Sequence, residues 1–212
     1  MTKKLLIVGV GEGLGKSLAT KFGQQGYELF LIARNLNRLG KMVNELTDQG
    51  IKAHAYPADV SDEVNFAHAL NEIKKLGPVD GVVYNVGITQ PDGENFTRDD
   101  LEKHFETDVA GAYQTILTLH DDLKVSHGFA LFTGGVAGVQ PFPGFLGLGV
   151  AKAGLRNLVQ LLNQELKEDD IFVGTVTIYG VIKPDTHFAP DMIADKFVDL
   201  ANKRDQWEVN YQ

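Results

Sequence analysis

Cysteine is absent from the 212-residue chain. Without it, the protein can form no disulfide framework, no thiolate metal site and no cysteine nucleophile. A chain of this length buries about 70% of its unfolded surface, so its core needs no disulfide or metal staple. The lack of cysteine fits a reducing compartment, and we expect a cytoplasmic location.

Long apolar runs and an excess of basic charge are also missing. No apolar stretch reaches the roughly 20 residues that a membrane-spanning helix needs. The run Leu5–Val8 follows two lysines, as in a secretory signal, but Gly9 and Gly11 interrupt it and no cleavage site follows. The chain has 20 basic and 28 acidic residues, and this net charge of −8 argues against general nucleic-acid binding. We therefore expect neither a membrane nor a nucleic-acid partner.

Apolar runs typical of strands alternate with segments that have helical periodicity. Continuous apolar runs predict strands buried on both faces, whereas apolar residues spaced by three and four predict helices. The predicted strands are 5–10, 28–33, 51–56, 79–84, 129–133, 171–179 and 207–211. The predicted helices are 16–25, 35–49, one from position 61, one from 97 through 119, 148–167, and a last one with Pro190 in its first turn.

This alternation predicts a single α/β domain over residues 1–212. Short connections between alternating strands and helices give a doubly wound, Rossmann-type parallel sheet of about seven strands, with helices on both faces. In such sheets, ligands bind beyond the carboxyl ends of the strands. The residues that follow each predicted strand are therefore the candidates for function.

A glycine-rich loop joins the first predicted strand to the first helix. It reads Gly9, Val10, Gly11, Glu12, Gly13, Leu14 and Gly15. Glycines let the backbone turn tightly and approach a pyrophosphate, while the helix N-terminus offers free N–H groups and a partial positive charge. The spacing differs from the Rossmann fingerprint Gly-x-Gly-x-x-Gly, so a plain tight turn is the alternative. Its place after the N-terminal strand favours nucleotide binding.

The same loop has a partial likeness to a P-loop. Lys16 and Ser17 follow Gly15 as that motif requires. However, the P-loop also needs a glycine at position 10, where this chain has Val10. We therefore do not expect nucleotide triphosphate hydrolysis.

The end of the second predicted strand carries Arg34 and no acidic residue. An acidic residue there would bind the ribose 2′-hydroxyl of NAD, whereas an arginine suits the 2′-phosphate of NADP. Because a guanidinium can grip phosphate with two hydrogen bonds, we expect NADP(H) to be favoured over NAD(H). The alternative is a solvated arginine that opens the next helix. Glu12 argues mildly against the site, because it brings negative charge near the phosphates.

Four more motifs stand at strand ends or in a late helix, and together with the glycine loop they resemble the short-chain dehydrogenase/reductase family. They are Ala58–Asp59–Val60, Asn85–Val86–Gly87, Lys152 and Gly180–Val181–Ile182. The resemblance spans nearly the whole chain. It implies that Asp59 contacts the adenine amino group and that Lys152 binds the nicotinamide ribose. The implied cofactor-binding residues are Gly9, Gly11, Glu12, Gly13, Leu14, Gly15, Arg34, Asp59, Val60, Asn85, Val86, Gly87, Lys152, Gly180 and Ile182.

The catalytic pattern of that family is incomplete in this chain. Leu148 stands where the family has its proton-donating tyrosine, and Gly134–Gly135 stand where serines are expected. Asp108 replaces the asparagine that holds a relay water, and only Lys152 is kept. General acid catalysis typically supplies about 10²–10⁴-fold in rate, so ordinary ketone reduction should be severely slowed.

Other residues could replace the missing proton donor. Tyr179 ends the sixth predicted strand, and His187 lies in the following loop, where the family often has a substrate flap. The alternatives are a wall residue for Tyr179 and a surface residue for His187. Asp108 is either a relay acid or a helix residue with a local partner. The candidate catalytic residues are thus Lys152, Tyr179, His187 and Asp108.

The remaining histidines show no paired metal-ligand spacing, and we expect them to be surface or satisfied structural residues and the protein to hold no metal. They are His54, His68, His104, His120 and His127. Two functions remain: an NADP(H)-dependent oxidoreductase with an atypical active site and an unknown small-molecule substrate, or an inactive dinucleotide-binding sensor or interaction protein. A scaffold without cofactor is a third. The resemblance implies a homodimer or homotetramer.

Overall fold

The computed structural model describes residues 2–212 and contains one sheet of seven strands. The strands are β1 (Lys4–Val8), β2 (Glu28–Ala33), β3 (Ala53–Pro57), β4 (Gly81–Tyr84), β5 (Phe129–Gly135), β6 (Phe172–Ile178) and β7 (Glu208–Tyr211). Their order across the sheet is β3-β2-β1-β4-β5-β6-β7, and every neighbouring pair is parallel. This confirms the predicted Rossmann-type sheet.

Seven α-helices connect the strands in the described part of the chain. They are α1 (Leu14–Gln24), α2 (Leu36–Asp48), α3 (Glu63–Lys74), α4 (Arg98–Phe105), α5 (Gly111–Ser126), α6 (Leu146–Glu165) and α7 (Pro190–Lys203). Between residues 2 and 212, none of these helices combines the length and apolarity that crossing a bilayer requires.

The sheet is covered on both faces because successive side chains of a strand point to opposite sides. In β1, Leu6 and Val8 join the apolar core with α3, α5 and α6, whereas Leu5 and Ile7 join the core with α1, α2 and α7. All four side chains are fully buried. This double burial explains why the strand sequence is an unbroken apolar run.

The prediction of one uninterrupted helix from 97 through 119 is wrong in its middle. Thr97 and Asp100 form a capping box at the start of α4, but a π-helical segment at Glu106–Ala110 separates α4 from α5. The Tyr84 hydroxyl donates a hydrogen bond of 2.5 Å to the carbonyl oxygen of Thr107, which supplies that oxygen with a partner outside the helix. Such π-helical bulges occur frequently at functional sites.

The start of α6 also differs from the prediction, because the helix begins at Leu146 and not at Leu148. The carboxylate of Asp92 accepts hydrogen bonds from the backbone N–H groups of Leu146 and Gly147. A cap from a loop more than fifty residues away leaves no local signal in the sequence. The cap joins the loop after β4 to the first turn of α6.

Candidate functional site

A cavity of about 410 Å³ opens at the carboxyl ends of the first four strands. This is the point where the strand order reverses between β1 and β4, at which open α/β sheets bind ligands. Its volume lies within the range of small-molecule and cofactor sites. The lining residues are Gly9, Val10, Gly11, Ile32, Ala33, Arg34, Ala58, Asp59, Val60, Ser61, Asn85, Val86, Gly87, Ile88, Gln90, Lys103 and Thr107.

The glycine loop forms one wall of this cavity. Gly9 has a φ of +88°, and a Cβ there would lie 2.5 Å from the carbonyl oxygen of Asn85. A Cβ on Gly15 would lie 2.8 Å from the carbonyl oxygen of Gly9. In contrast, a Cβ on Gly11 or Gly13 would meet no atom within 4 Å. Gly9 and Gly15 are thus required for packing, whereas Gly11 and Gly13 leave open space above the loop.

Asn85 fixes the loop that follows β4. Its side-chain N–H donates to the carbonyl oxygen of Gly9 at 2.9 Å, and its Oδ1 accepts from the Thr133 hydroxyl at 2.8 Å. Its backbone N–H also donates to the carbonyl oxygen of Val8. One side chain therefore holds together the ends of β1, β4 and β5. The Thr133 hydroxyl is committed to this contact.

Arg34 lines the main cavity and also a smaller one of about 190 Å³. Arg38, one helical turn later, lines the smaller cavity together with Gly11 and Glu12. Asn35 caps α2 by accepting a hydrogen bond from the Arg38 N–H at 3.0 Å, which orients this turn. Two arginine residues therefore border this smaller cavity.

Glu12, inside the glycine loop, and Lys16, just after it, form an ion pair. Lys16 lies 3.7 Å from the carboxylate of Glu12 and also forms an ion pair with Glu45. Hydrogen bonding and the charge of Glu45, with a smaller contribution from Glu12, raise the pKa of Lys16. Lys16 is thus held by acids on α2 and in the loop, and it partly offsets the charge of Glu12.

Asp59 follows β3 and lines the main cavity. Its Oδ1 accepts hydrogen bonds from the N–H of Ser61 at 3.0 Å and from the Ser61 hydroxyl at 2.8 Å. Both residues and Val60 line the main cavity. The turn fixes the carboxylate before any ligand is present.

Lys152 and Asp108 form a buried ion pair next to the cavity wall. The Lys152 Nζ lies 2.8 Å from Oδ1 of Asp108, and their side chains are 7% and 0% exposed. Nζ also donates to the carbonyl oxygens of Val86 at 3.2 Å and Thr133 at 3.1 Å. The other carboxylate oxygen accepts from the Ile88 N–H at 3.3 Å. Three oxygen atoms of the protein thus surround the ammonium group.

Tyr84 lies beside this pair but belongs to the core. Burial, together with the nearby charge of Asp108, raises the pKa of the Tyr84 hydroxyl well above its usual value. Its proton is donated to the Thr107 carbonyl oxygen, and the side chain is fully buried. Tyr84 is therefore a structural residue and holds the π-helical segment that carries Asp108.

The structure does not bring the other predicted proton donors to the main cavity. His187 is exposed, stacks on Tyr211 at 4.8 Å and pairs through Nε2 with the backbone oxygen of Gln212 at 2.7 Å. The backbone N–H of Tyr179 donates a hydrogen bond to the carbonyl oxygen of Tyr211 at 2.9 Å. Among residues 2–212, those that line the main cavity include no tyrosine and no histidine.

Several predicted cofactor residues also lie off the main cavity. Leu14 is a core residue, and Gly15 is covered by the loop itself. A Cβ on Gly180 would lie 2.2 Å from the ring of Phe188, so the loop after β6 packs on itself at this position. Neither Gly180 nor Ile182 lines the main cavity.

Of the positions that lack the family's catalytic groups, Gly134 has a steric reason. A Cβ on Gly134 would lie 2.8 Å from the hydroxyl oxygens of both Thr175 and Thr177, so the neighbouring strand leaves no room for a side chain. Leu148 is half-buried, one helical turn before Lys152 in α6.

Sequence reasoning missed several residues of the site. Lys103 and Thr107 line the main cavity from α4 and the π-helical segment, and Arg38 lines the smaller one. The spacing of Arg34 and Arg38 by one turn is the signal that could have revealed the latter. His104 was expected to be a surface or satisfied residue, but it is buried and its Nδ1 has no partner among the described residues.

Comparison with known proteins identifies the family. The model described as short chain dehydrogenase matches residues 3–191. A Mycobacterium tuberculosis protein named as an oxidoreductase is 31% identical over 189 residues, which cover 85% of this chain and 74% of the relative. A Listeria monocytogenes oxidoreductase is 28% identical over 84% of this chain and 73% of its own length. The chain therefore belongs to the short-chain dehydrogenase family.

Solved structures agree at the level of the fold. An alcohol dehydrogenase from Thermococcus sibiricus, complexed with 5-hydroxy-NADP, has a TM-score of 0.87 and 25% identity, and the match covers 100% of this chain and 98% of that one. L-sorbose reductase from Gluconobacter frateurii, complexed with NADPH and L-sorbose, has a TM-score of 0.90 and 22% identity, with coverage of 99% and 94%. A 7α-hydroxysteroid dehydrogenase with a TM-score of 0.87 and 21% identity was solved with NADH, covering 98% of this chain and 92% of that one.

Proposed function

We propose that this protein is an NADP(H)-binding oxidoreductase with an atypical active site. The observation that carries the proposal is the cavity at the switch point, with open glycines on one side and two arginines beside it. A cradle without side chains suits a pyrophosphate, and paired guanidinium groups suit a terminal phosphate. A tight turn that binds no ligand would need neither the open glycines nor the two arginines.

The residues of the site divide the cofactor between them. The backbone of Gly11 and Gly13, at the N-terminus of α1, would hold the pyrophosphate. Arg34 and Arg38 would hold the 2′-phosphate, and Asp59 would contact the adenine. When bound, NADP(H) supplies the hydride or accepts it. This assignment favours NADP(H) over NAD(H), because the second arginine has no partner on an unphosphorylated ribose.

Proton transfer is the weak part of the proposed reaction. The charge of Lys152 is balanced by Asp108 in an ion pair, the Thr133 hydroxyl donates its hydrogen bond to Asn85, and the side chain of Leu148 has no proton to donate. Without a general acid, carbonyl reduction loses about 10²–10⁴-fold in rate. We infer that the substrate is one that needs little acid assistance, such as a quinone or an activated enone.

The test measures NADPH consumption with carbonyls, quinones and enones. We expect slow turnover of quinones or enones and rates with simple ketones close to the enzyme-free blank. Leu148→Tyr adds a phenol one turn before Lys152, and we expect it to raise ketone reduction by at least tenfold. Rates that match the blank for every substrate, with the parent and with Leu148→Tyr, would contradict an enzymatic function.

A second candidate is a dinucleotide-binding sensor that catalyses nothing. The specific observation in its favour is that three protein oxygen atoms already surround the Lys152 ammonium group, while the residues around the phosphate sites are intact. This function predicts that NADPH changes association with a partner. Affinity capture from lysate with and without about 1 mM NADPH tests this function. The same captured proteins in both conditions would argue against it.

We also propose that the protein forms a homodimer or homotetramer. The long helices of one side carry exposed apolar side chains that the described chain does not cover, namely Phe105, Tyr113, Leu117, Val150 and Leu161. Exposed apolar residues that cluster on one side are typical of protein–protein contact surfaces. A partner of the same sequence would cover them.

A further inference from the structure

A buried carboxylate and a buried ammonium group meet directly behind the wall of the main cavity. Asp108 is fully buried, and its Oδ1 lies 2.8 Å from the Nζ of Lys152. Removing two charges from water costs several kcal/mol for each ion unless the pair is well placed and hydrogen-bonded. Here Nζ donates to the carbonyl oxygens of Val86 and Thr133, and Oδ2 of Asp108 accepts from the Ile88 N–H, whereas Oδ1 has no hydrogen-bond partner among the described residues and is held by the ion pair. The pair is therefore part of the protein interior and not a chance contact at the surface.

Gly87 brings this pair into contact with the cavity wall. A Cβ at position 87 would lie 2.9 Å from both the Asp108 Oδ1 and the Lys152 Nζ. Val86 and Gly87 also line the main cavity, so the pair lies directly behind this part of the cavity wall. Charges held at this depth are screened far less than charges in water.

The strand order decides which part of a dinucleotide would lie there. The arginine pocket is at the end of β2, and the glycine loop is at the end of β1, next to it in the sheet. Beyond β1 comes β4, whose end carries Val86 and Gly87, and then β5. A cofactor with its 2′-phosphate at Arg34 and its pyrophosphate at the glycine loop therefore extends its nicotinamide half toward the buried pair.

We propose that the Asp108 carboxylate sets the preference of this site between the two redox states of its nicotinamide cofactor, a role that rests on the proposed NADP(H) binding. The nicotinamide ring carries a positive charge when oxidised and none when reduced. An unpaired ammonium group at Lys152 would repel the oxidised ring. Asp108 cancels that repulsion, so the parent protein binds the oxidised cofactor better than it would with Lys152 alone.

The magnitude follows from simple electrostatics. One unit charge within roughly 10 Å, at the effective dielectric constant of a protein interior, changes the relative affinity of a charged and a neutral ligand on the order of tenfold. The carboxylate acts on the ratio of the two affinities, whereas contacts to the adenine, ribose and phosphate groups act on both cofactor forms equally. The ratio is therefore the quantity to measure.

The experiment is calorimetric titration of the parent, Asp108→Asn and Lys152→Gln with NADP⁺ and NADPH at pH 8. We expect Asp108→Asn to shift the ratio of dissociation constants about tenfold in favour of NADPH. Lys152→Gln leaves the carboxylate without its cation and shifts the ratio in the opposite direction. A purely structural pair would weaken both cofactor forms alike in both variants. Should one variant fail to fold, the other carries the test alone.

Two controls match these substitutions. Asp122→Asn removes a buried carboxylate of α5 that lies about 20 Å from Asp108 along the helical axis, and we expect it to leave the ratio unchanged. The double variant Asp108→Asn/Lys152→Gln is neutral like the original pair and returns the ratio to within about threefold of the parent. An unchanged ratio in a folded single variant that still binds NADPH would overturn the role of Asp108. Failure of the parent to bind either form would instead overturn the proposed function.

Discussion

The glycines of the loop differ in whether they pack against protein atoms or face open space. Gly9 and Gly15 pack against backbone atoms, and a side chain at either position would collide with them. Gly11 faces open space and lines both cavities. The sequence predicted the glycine-rich loop, but it could not show which glycines pack against protein atoms and which face open space, because the collisions come from Asn85 and from the loop's own fold.

The two arginines are expected to select the cofactor. Arg34→Ala or Arg38→Ala removes charge-assisted hydrogen bonds to a 2′-phosphate, which contribute about 1.5–3 kcal/mol in net terms. We therefore expect NADPH affinity to fall about 10- to 100-fold, while NADH affinity changes by less than about twofold. Calorimetry with both cofactors measures this, and Arg98→Ala, an exposed arginine paired with Glu102, is the control. Equal losses for NADH and NADPH would contradict a 2′-phosphate site.

Gly87 offers a residue-scale test of the packing around the buried pair. Gly87→Ala places a methyl group 2.9 Å from both Lys152 and Asp108, so atoms must move. Overpacking of this kind typically costs about 1–3 kcal/mol in the free energy of unfolding. Gly135→Ala, whose Cβ meets no atom within 4 Å, is the matched control. Urea denaturation measures both variants. Equal stability of the two would show that the pair yields to the methyl group.

At the scale of elements, β7 is tied to α6 by one side chain. The carboxylate of Glu208 receives two hydrogen bonds from the Arg156 guanidinium, at 2.8 and 2.6 Å, and one from the Thr177 hydroxyl at 2.7 Å. Burial raises the pKa of Glu208, but the hydrogen bonds and charge of Arg156 and the bond from Thr177 outweigh it and lower that pKa below its usual value. The guanidinium also lies over the ring of Trp207.

Glu208→Gln is therefore expected to destabilise the protein near neutral pH. Loss of the charge-assisted bonds costs about 1–2 kcal/mol in the free energy of unfolding, reduced because Arg156 is partly exposed. Because the pKa of Glu208 is lower in the folded state, its stabilisation is present above the unfolded value near 4.3 and is lost as the pH falls through the folded value. Urea denaturation at pH 7 and at pH 3–4 checks this. Glu102→Gln, in an exposed pair, is the control, and a deficit independent of pH would contradict the ion pair.

Periodicity predicted the strands and most helices, but it failed where contacts between residues far apart in the sequence determine the local structure. The strand β1 was evident because Leu5, Leu6, Ile7 and Val8 are all apolar and all buried. The π-helical segment was not, because it depends on a hydrogen bond from Tyr84, twenty-three residues before Thr107 in the chain. The same segment positions Asp108 against Lys152, so the ion pair was also beyond prediction.

On the scale of the whole molecule, the exposed apolar side chains of α5 and α6 predict self-association. Light scattering should give a mass of two or four times the 23.2 kDa chain. Leu117→Glu, which puts a charge on a side chain that is 60% exposed, should yield a monomer. Val64→Glu, an exposed apolar residue on α3, should keep the assembly. A monomeric parent would remove the proposed homo-oligomer.

The arrangement of the whole sheet made the lining of the main cavity predictable, whereas the position of His187 was not. Strand ends that follow one another in sequence meet at one edge of a parallel sheet, so Gly9, Arg34, Asp59 and Asn85 were correctly expected around one cavity. His187 was placed by the packing of the C-terminal residues, which stack its ring on Tyr211. That contact has no counterpart in the local sequence.

The most direct test of the account is calorimetric titration of the parent and of Gly11→Leu with NADPH. A Cβ at position 11 would meet no protein atom within 4 Å, so we expect Gly11→Leu to keep the parent's melting temperature while filling the cradle. We predict that the parent binds NADPH with micromolar or tighter affinity and that Gly11→Leu loses at least about 100-fold, equal to about 2.7 kcal/mol. A parent that does not bind NADPH, or a folded Gly11→Leu that binds it equally well, would contradict the assignment of this cavity as the cofactor site.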